Sequence, residues 1–172
     1  FNQISLRKIM AYSSINHIAW MLSAMMVSFS NWMIYFITYC LININIIVLF
    51  AHAKAFYLKQ IVNAYNSSKL FKLTMMFNFL SLGGLPPFIG FFPKWITINW
   101  LILNKFYFMT FILIVLTLIM LFIYIRVTFT SMVISHQESK ILKQKFSNPL
   151  LISVNFFTLI SLILGTLLFN MV

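Results

Sequence analysis

The chain has 172 residues, 62% hydrophobic and 18% aromatic, with only 8% charged. Soluble domains are nearer a quarter charged, so a soluble globular enzyme is excluded and an integral membrane protein is expected. Lys and Arg number 12 against one acid, Glu138, and the lone cysteine, Cys40, leaves no disulfide frame or cysteine metal cluster.

A net charge of +11 would raise nucleic acid as a partner for a soluble protein. Here the charges fall between apolar runs, where they set topology, so the expected surroundings are a lipid bilayer and not nucleic acid. Crossing hydrocarbon takes about 20 apolar residues in a helix. Five segments reach that length, at about 6–27, 32–51, 70–103, 106–133 and 150–172. Because the chain starts at Phe1 without a signal-peptide pattern, a partial sequence is expected. The usage of 20 Phe and 11 Met, with 4 Gly and 4 Pro, resembles translation from an AT-rich organelle genome.

The first span opens on Arg7 and Lys8, close enough to its end for both to reach the interface as anchors. His17 lies some three turns further in, beside Ser13, Ser14 and Asn16. An ionisable group at that depth is by default a functional candidate, and histidine suits a proton shuttle or a neutral hydrogen-bonding partner. A satisfied helix-packing histidine is the competing reading. On a straight helix Lys8 and His17 point nearly opposite ways. The second span is followed by a basic connection from His52 to Lys72. Within it, Phe56 to Tyr65 reads as a short interfacial helix or an ordinary loop.

The third span is the most informative. Leu80-Ser81-Leu82-Gly83-Gly84-Leu85-Pro86-Pro87-Phe88-Ile89-Gly90-Phe91-Phe92-Pro93-Lys94-Trp95 interrupts it with glycines, prolines and one lysine. Proline removes an amide donor and clashes with the preceding turn, so one continuous helix is ruled out. Broken backbone at membrane depth persists only where protein or a water-filled cavity satisfies it, and a Gly/Pro-interrupted span points to an ion site. Lys94 sits too deep for a snorkelling lysine to cover the whole distance. The functional reading is a lysine that exchanges a proton, a task arginine cannot perform because it stays charged. Ser81, Thr97, Asn99 and the carbonyls freed by Pro86 and Pro87 are its candidate partners; an anchor beneath Trp95 and Trp100 is the alternative.

Arg126, late in the fourth span, reads as a snorkelling residue. A second basic loop, Ser135 to Asn148, then leads to the fifth span. Five alternating spans bring both basic loops, Arg7 and Lys8 to one side, which the positive-inside rule makes the matrix or cytoplasm. A haem would need two histidines at matching depth, and His52 and His136 do not match His17. Without a cysteine pair, a GxGxxG loop or a carboxylate cluster, no nicotinamide, flavin or iron–sulfur site is expected in this chain.

Two stretches carry a family resemblance: Leu6-Arg7-Lys8-Ile9-Met10-Ala11-Tyr12-Ser13-Ser14-Ile15-Asn16-His17-Ile18-Ala19-Trp20-Met21, and the Leu80–Trp95 motif. Together they resemble the C-terminal half of the subunit 2 family of mitochondrial NADH dehydrogenase, the antiporter-like membrane subunits of respiratory complex I, in arthropod-like form. The resemblance implies an all-α integral membrane protein, an antiporter-like bundle of five transmembrane helices in one domain, the third discontinuous at Gly83–Pro87. It implies proton translocation across the mitochondrial inner membrane and other complex I membrane subunits as partners. NADH, FMN, iron–sulfur clusters and ubiquinone would be handled elsewhere in the complex, with no cofactor and no metal in this chain. By the same resemblance Lys94 is the lysine of the second half-channel, Lys8 a central-axis lysine and His17 the motif histidine. Gly83, Gly84, Pro86, Pro87 and Pro93 form the discontinuous helix. The family's first half-channel has no counterpart here. A stand-alone cation/proton antiporter and a non-transporting structural subunit remain the alternatives.

Overall fold

The computed structural model describes residues 3–58, 60, 69–86 and 88–133. Among these, five helices form: α1 (Leu6–Val27), α2 (Phe29–Ala53), α3 (Lys69–Gly83), α4 (Phe91–Leu103) and α5 (Tyr107–Val133). No strand is present among the described residues; the extended contact is one antiparallel bridge between Ser5 and Tyr57. Pro87, His136, the expected loop at 135–148 and the expected fifth span at 150–172 lie outside the described residues, as do residues 59 and 61–65 of the expected interfacial helix.

Two helices are long and apolar enough to cross a membrane among the described residues: α2, and α5 over Tyr107–Phe129, with mean hydropathies of 2.1 and 2.9. At 25 residues α2 is about 38 Å long at about 1.5 Å per residue. Large apolar side chains on α5, Phe108, Phe111, Leu118 and Phe122 among them, face outward, as a lipid-facing surface requires. The fold is therefore an all-α membrane bundle.

Ser28 alone separates α1 from α2. Its backbone is extended and its hydroxyl accepts from the Asn31 N–H at 3.3 Å, capping α2 and turning the chain back. At the other end of α2, Lys54 adopts φ 50° and returns the chain to the start of α1. There Leu6 N–H donates to Phe56 O and Leu58 N–H to Ile4 O. The third span is broken as expected, but over a longer stretch: α3 ends at Gly83 and α4 begins at Phe91. Helix α3 packs on α5 and α2, while α4 packs on α1, α2 and α5.

Two apolar clusters hold the bundle. One, built on Leu6, Ile9, Ile46, Leu49, Met75, Phe79, Leu82 and Val127, lies toward the start of α1. The other comprises Trp20, Tyr35, Leu101 and Leu113. Between them along α1, α3 and α4 come the buried polar residues Ser13, His17, Ser81, Lys94 and Thr97. Burying polar groups is costly unless they are paired, so this middle layer is the candidate site.

Candidate proton-transfer site at the helix break

The break is built from its glycines outward. Gly84 takes φ 76°, a left-handed conformation that costs glycine little. Its N–H donates to Ser81 O at 3.0 Å and that of Leu85 to Leu80 O at 3.3 Å, the paired bonds of a Schellman ending. These serve two of the last four carbonyls, which a helix leaves without intrahelical partners. The other two belong to Leu82 and Gly83. They stand four residues before Pro86 and Pro87, which as prolines have no N–H to donate.

Lys94 fills that gap. Its Nζ donates to Gly83 O at 3.0 Å and more weakly to Leu82 O at 3.5 Å. Side chains on a helix lean toward its N-terminus, so a lysine in the first turn of α4 reaches back across the break to the end of α3. Pro93 is tolerated beside it because a first-turn N–H lacks an intrahelical partner anyway. Gly90 allows the approach, since a Cβ there would overlap the Ser81 carbonyl oxygen. Lys94 is 7% exposed, and the chain's one acid, Glu138, lies outside the described residues. Its ammonium therefore rests on carbonyl dipoles and the negative end of α3, with no counter-ion among the described residues.

His17 lies 4% exposed on the inner face of α1. Its Nδ1 is 3.0 Å from the Tyr35 hydroxyl, and the Tyr39 ring lies against it at 4.7 Å between centroids. Its Nε2 is buried without a hydrogen-bond partner. His17 is within electrostatic reach of Lys94. A cavity with room for about one water molecule lies between His17 and the break, lined by His17, Tyr35, Thr38, Tyr39, Ile42, Ser81, Leu82, Gly90 and Pro93; Lys94 is next to Pro93 but does not itself line it. Tyr124 of α5 lies against Gly83.

The break thus brings Gly83, Gly84, Pro93 and Lys94 together with His17, while Pro86 is exposed at the turn. Lys8 is not brought to this site. It is exposed in the first turn of α1, on the face away from His17, as nine residues at about 100° each dictate. Arg7 is also exposed, its guanidinium 4.7 Å over the Phe56 ring. Of the other expected partners of Lys94, Thr97 donates to the Lys94 backbone carbonyl, Ser81 donates to Asn78 O, and Asn99 is exposed. Sequence reading missed Tyr35, Tyr39 and Tyr124. A signal existed for the first two: Asn31, Tyr35, Tyr39 and Asn43 repeat every four residues and so share one face of α2.

Comparison with known proteins places this chain in a family. Residues 1–121 match the family described as "NADH:quinone oxidoreductase/Mrp antiporter, TM". NADH-ubiquinone oxidoreductase chain 2 of Aedes aegypti is 41% identical over 98% of this chain and 50% of its own length. The protein of that name from Locusta migratoria is 41% identical over 93% of this chain and 47% of its own length. That from Anopheles albimanus is 44% identical over 77% of this chain and 78% of its own length. The chain spans about half the length of the first two relatives. It belongs to the NADH:quinone oxidoreductase/Mrp antiporter transmembrane family, alongside proteins named NADH-ubiquinone oxidoreductase chain 2.

Proposed function

We propose that this chain is part of a core membrane subunit of respiratory complex I and takes part in proton translocation across the mitochondrial inner membrane. The observation that carries the reading is the buried Lys94 ammonium on the carbonyls of a broken helix, with His17 lining a water-sized cavity beside that break. The names of its relatives support the assignment to NADH:ubiquinone oxidoreductase. Oxidation of NADH through flavin and iron–sulfur centres to ubiquinone would belong to other subunits, and this chain would couple to it electrostatically.

A lysine held by carbonyl dipoles acts as a proton store rather than half of a salt bridge, since no ionic partner locks its charge among the described residues. Releasing a proton leaves Lys94 a neutral amine, and the buried, unpaired Nε2 of His17 is the group proposed to receive it. Like charges repel strongly at low dielectric, so proton arrival at one group favours departure from the other. Lys8 enters as a proposed further lysine of the path. Facing outward, it requires groups beyond the described residues as its partners.

The test is the proton-to-electron ratio of assembled complex in sealed vesicles. Lys94→Ala and Lys94→Arg both lower it, to a similar extent, since arginine keeps its charge but does not release a proton. A normal ratio with Lys94→Arg would show that Lys94 is a charged anchor.

A further inference from the structure

Asn31 has polar chemistry that the Lys94–His17 site does not use. It lies in the first turn of α2, 2% exposed, and neither its carboxamide oxygen nor its nitrogen has a hydrogen-bond partner among the described residues. The indole Nε1 of Trp20, 1% exposed, is unpaired as well. Trp20 stacks on Tyr35 with ring centroids 6.4 Å apart and planes 10° from parallel. Tyr35 follows Asn31 by one helical turn on the same face, and its hydroxyl meets His17 Nδ1 at 3.0 Å. Moving one turn from the His17–Tyr35 pair toward Ser28 therefore reaches Trp20 and Ser23 on α1 and Asn31 on α2. The cavity near the break is lined by Tyr35 but by neither Asn31 nor Trp20, so the direction toward Asn31 departs from that cavity at Tyr35.

Buried polar side chains are in large majority paired with protein or ordered water. A carboxamide offers two donors and an acceptor, the indole a third donor, and a buried water typically makes about three hydrogen bonds. The buried Ser23 hydroxyl, whose proton goes to Trp20 O at 2.8 Å, keeps its lone pairs as further acceptors.

We propose that Asn31, Trp20 and Tyr35 form a buried water-binding site that gives His17 a second proton route, leading to the α1–α2 turn. The proposal rests on the reading of Lys94 and His17 as a proton path. The transfer balances without a redox partner. The His17 Nδ1–H proton passes to the Tyr35 oxygen as the Tyr35 O–H proton passes to the water, leaving neutral imidazole, neutral phenol and a protonated water. Tyr35 acts here as a positioning and relay group, and Asn31 holds the water.

The experiment uses the complete subunit in its assembled complex. A high-resolution map of the unaltered complex is expected to show ordered water within hydrogen-bond distance of the Asn31 amide. A side chain of another segment or subunit paired with that amide would overturn the proposal. In sealed vesicles, Asn31→Leu, of similar size, is expected to lower the proton-to-electron ratio toward that of Lys94→Ala. Asn31→Ser, which still binds water, is expected to recover most of it, an effect that a merely structural role does not produce. A normal ratio in Asn31→Leu while Lys94→Ala is impaired sinks this route alone. Normal ratios in both sink the path itself. Should Asn31→Leu fail to assemble, Tyr35→Phe and the map decide: a normal ratio in Tyr35→Phe overturns the relay.

Discussion

At the scale of single residues, Lys94 and the break solve each other's problem. A lysine at the centre of a membrane helix costs about 2.5–3.5 kcal/mol on insertion scales. A hydrogen bond to a charged group contributes about 1.5–3 kcal/mol, and a cation at a helix C-terminus adds about 0.3–2 kcal/mol. Seating Nζ on Gly83 O and Leu82 O therefore offsets most of the cost of burial and also caps α3. The adjacent glycines differ sharply. A Cβ on Gly84 would stand 2.8 Å from Lys94 Cδ, on a backbone at φ 76°. Left-handed backbone costs an ordinary residue about 1–2 kcal/mol, and the lysine must also move. Gly84→Ala is expected to lower the proton-to-electron ratio of whatever complex assembles. In Gly83→Ala the new methyl would meet Tyr124 Cδ2 at 3.5 Å, an ordinary contact. Assembly and pumping should stay near wild type there, and equal loss in the two variants would refute the capping role of Lys94.

At the scale of elements, the break is a designed junction between α3 and α4, held by their close approach. The α4 N-terminus comes onto the Ser81 carbonyl of α3 at Gly90, where the obstacle to a Cβ is backbone rather than a flexible side chain. Overpacking of a tight core costs about 1–3 kcal/mol and occasionally more. Gly90→Ala is expected to separate the two half-helices and to reduce assembled complex on a native gel well below the level of Gly83→Ala. Equal assembly of the two variants would mean that the approach of α4 to α3 is not required. The break was legible in the chain because prolines and glycines act locally: Pro86 and Pro87 withhold the N–H groups that Leu82 and Gly83 would need. Its length was not, since the described helix restarts only at Phe91, where packing against α1 and α2 resumes.

At the scale of the whole molecule, two apolar clusters enclose a polar middle layer, and an outward apolar surface surrounds both. The Ser5–Tyr57 bridge draws Arg7, Lys8 and Lys54 to one end of the bundle. With the mitochondrial inner membrane proposed above, the positive-inside rule predicts that this end faces the matrix. A cysteine replacing the exposed Lys54 should then react with an impermeant thiol reagent only after the membrane is opened. Labelling from the intermembrane side in sealed mitoplasts would invert the topology.

The all-α character and the broken third span were legible in the sequence alone, because each follows from hydropathy and backbone chemistry over a few neighbouring residues. Even the lysine's acceptors were foreshadowed, as carbonyls freed by two prolines. Tertiary structure decided what no local pattern contains. It turned Lys8 outward and His17 inward, set Tyr35 rather than a serine against the imidazole, and brought the cavity beside the break. Those outcomes depend on how helices far apart in the chain rotate and pack. A helix has several faces, and only its neighbours determine which of them meets another polar group.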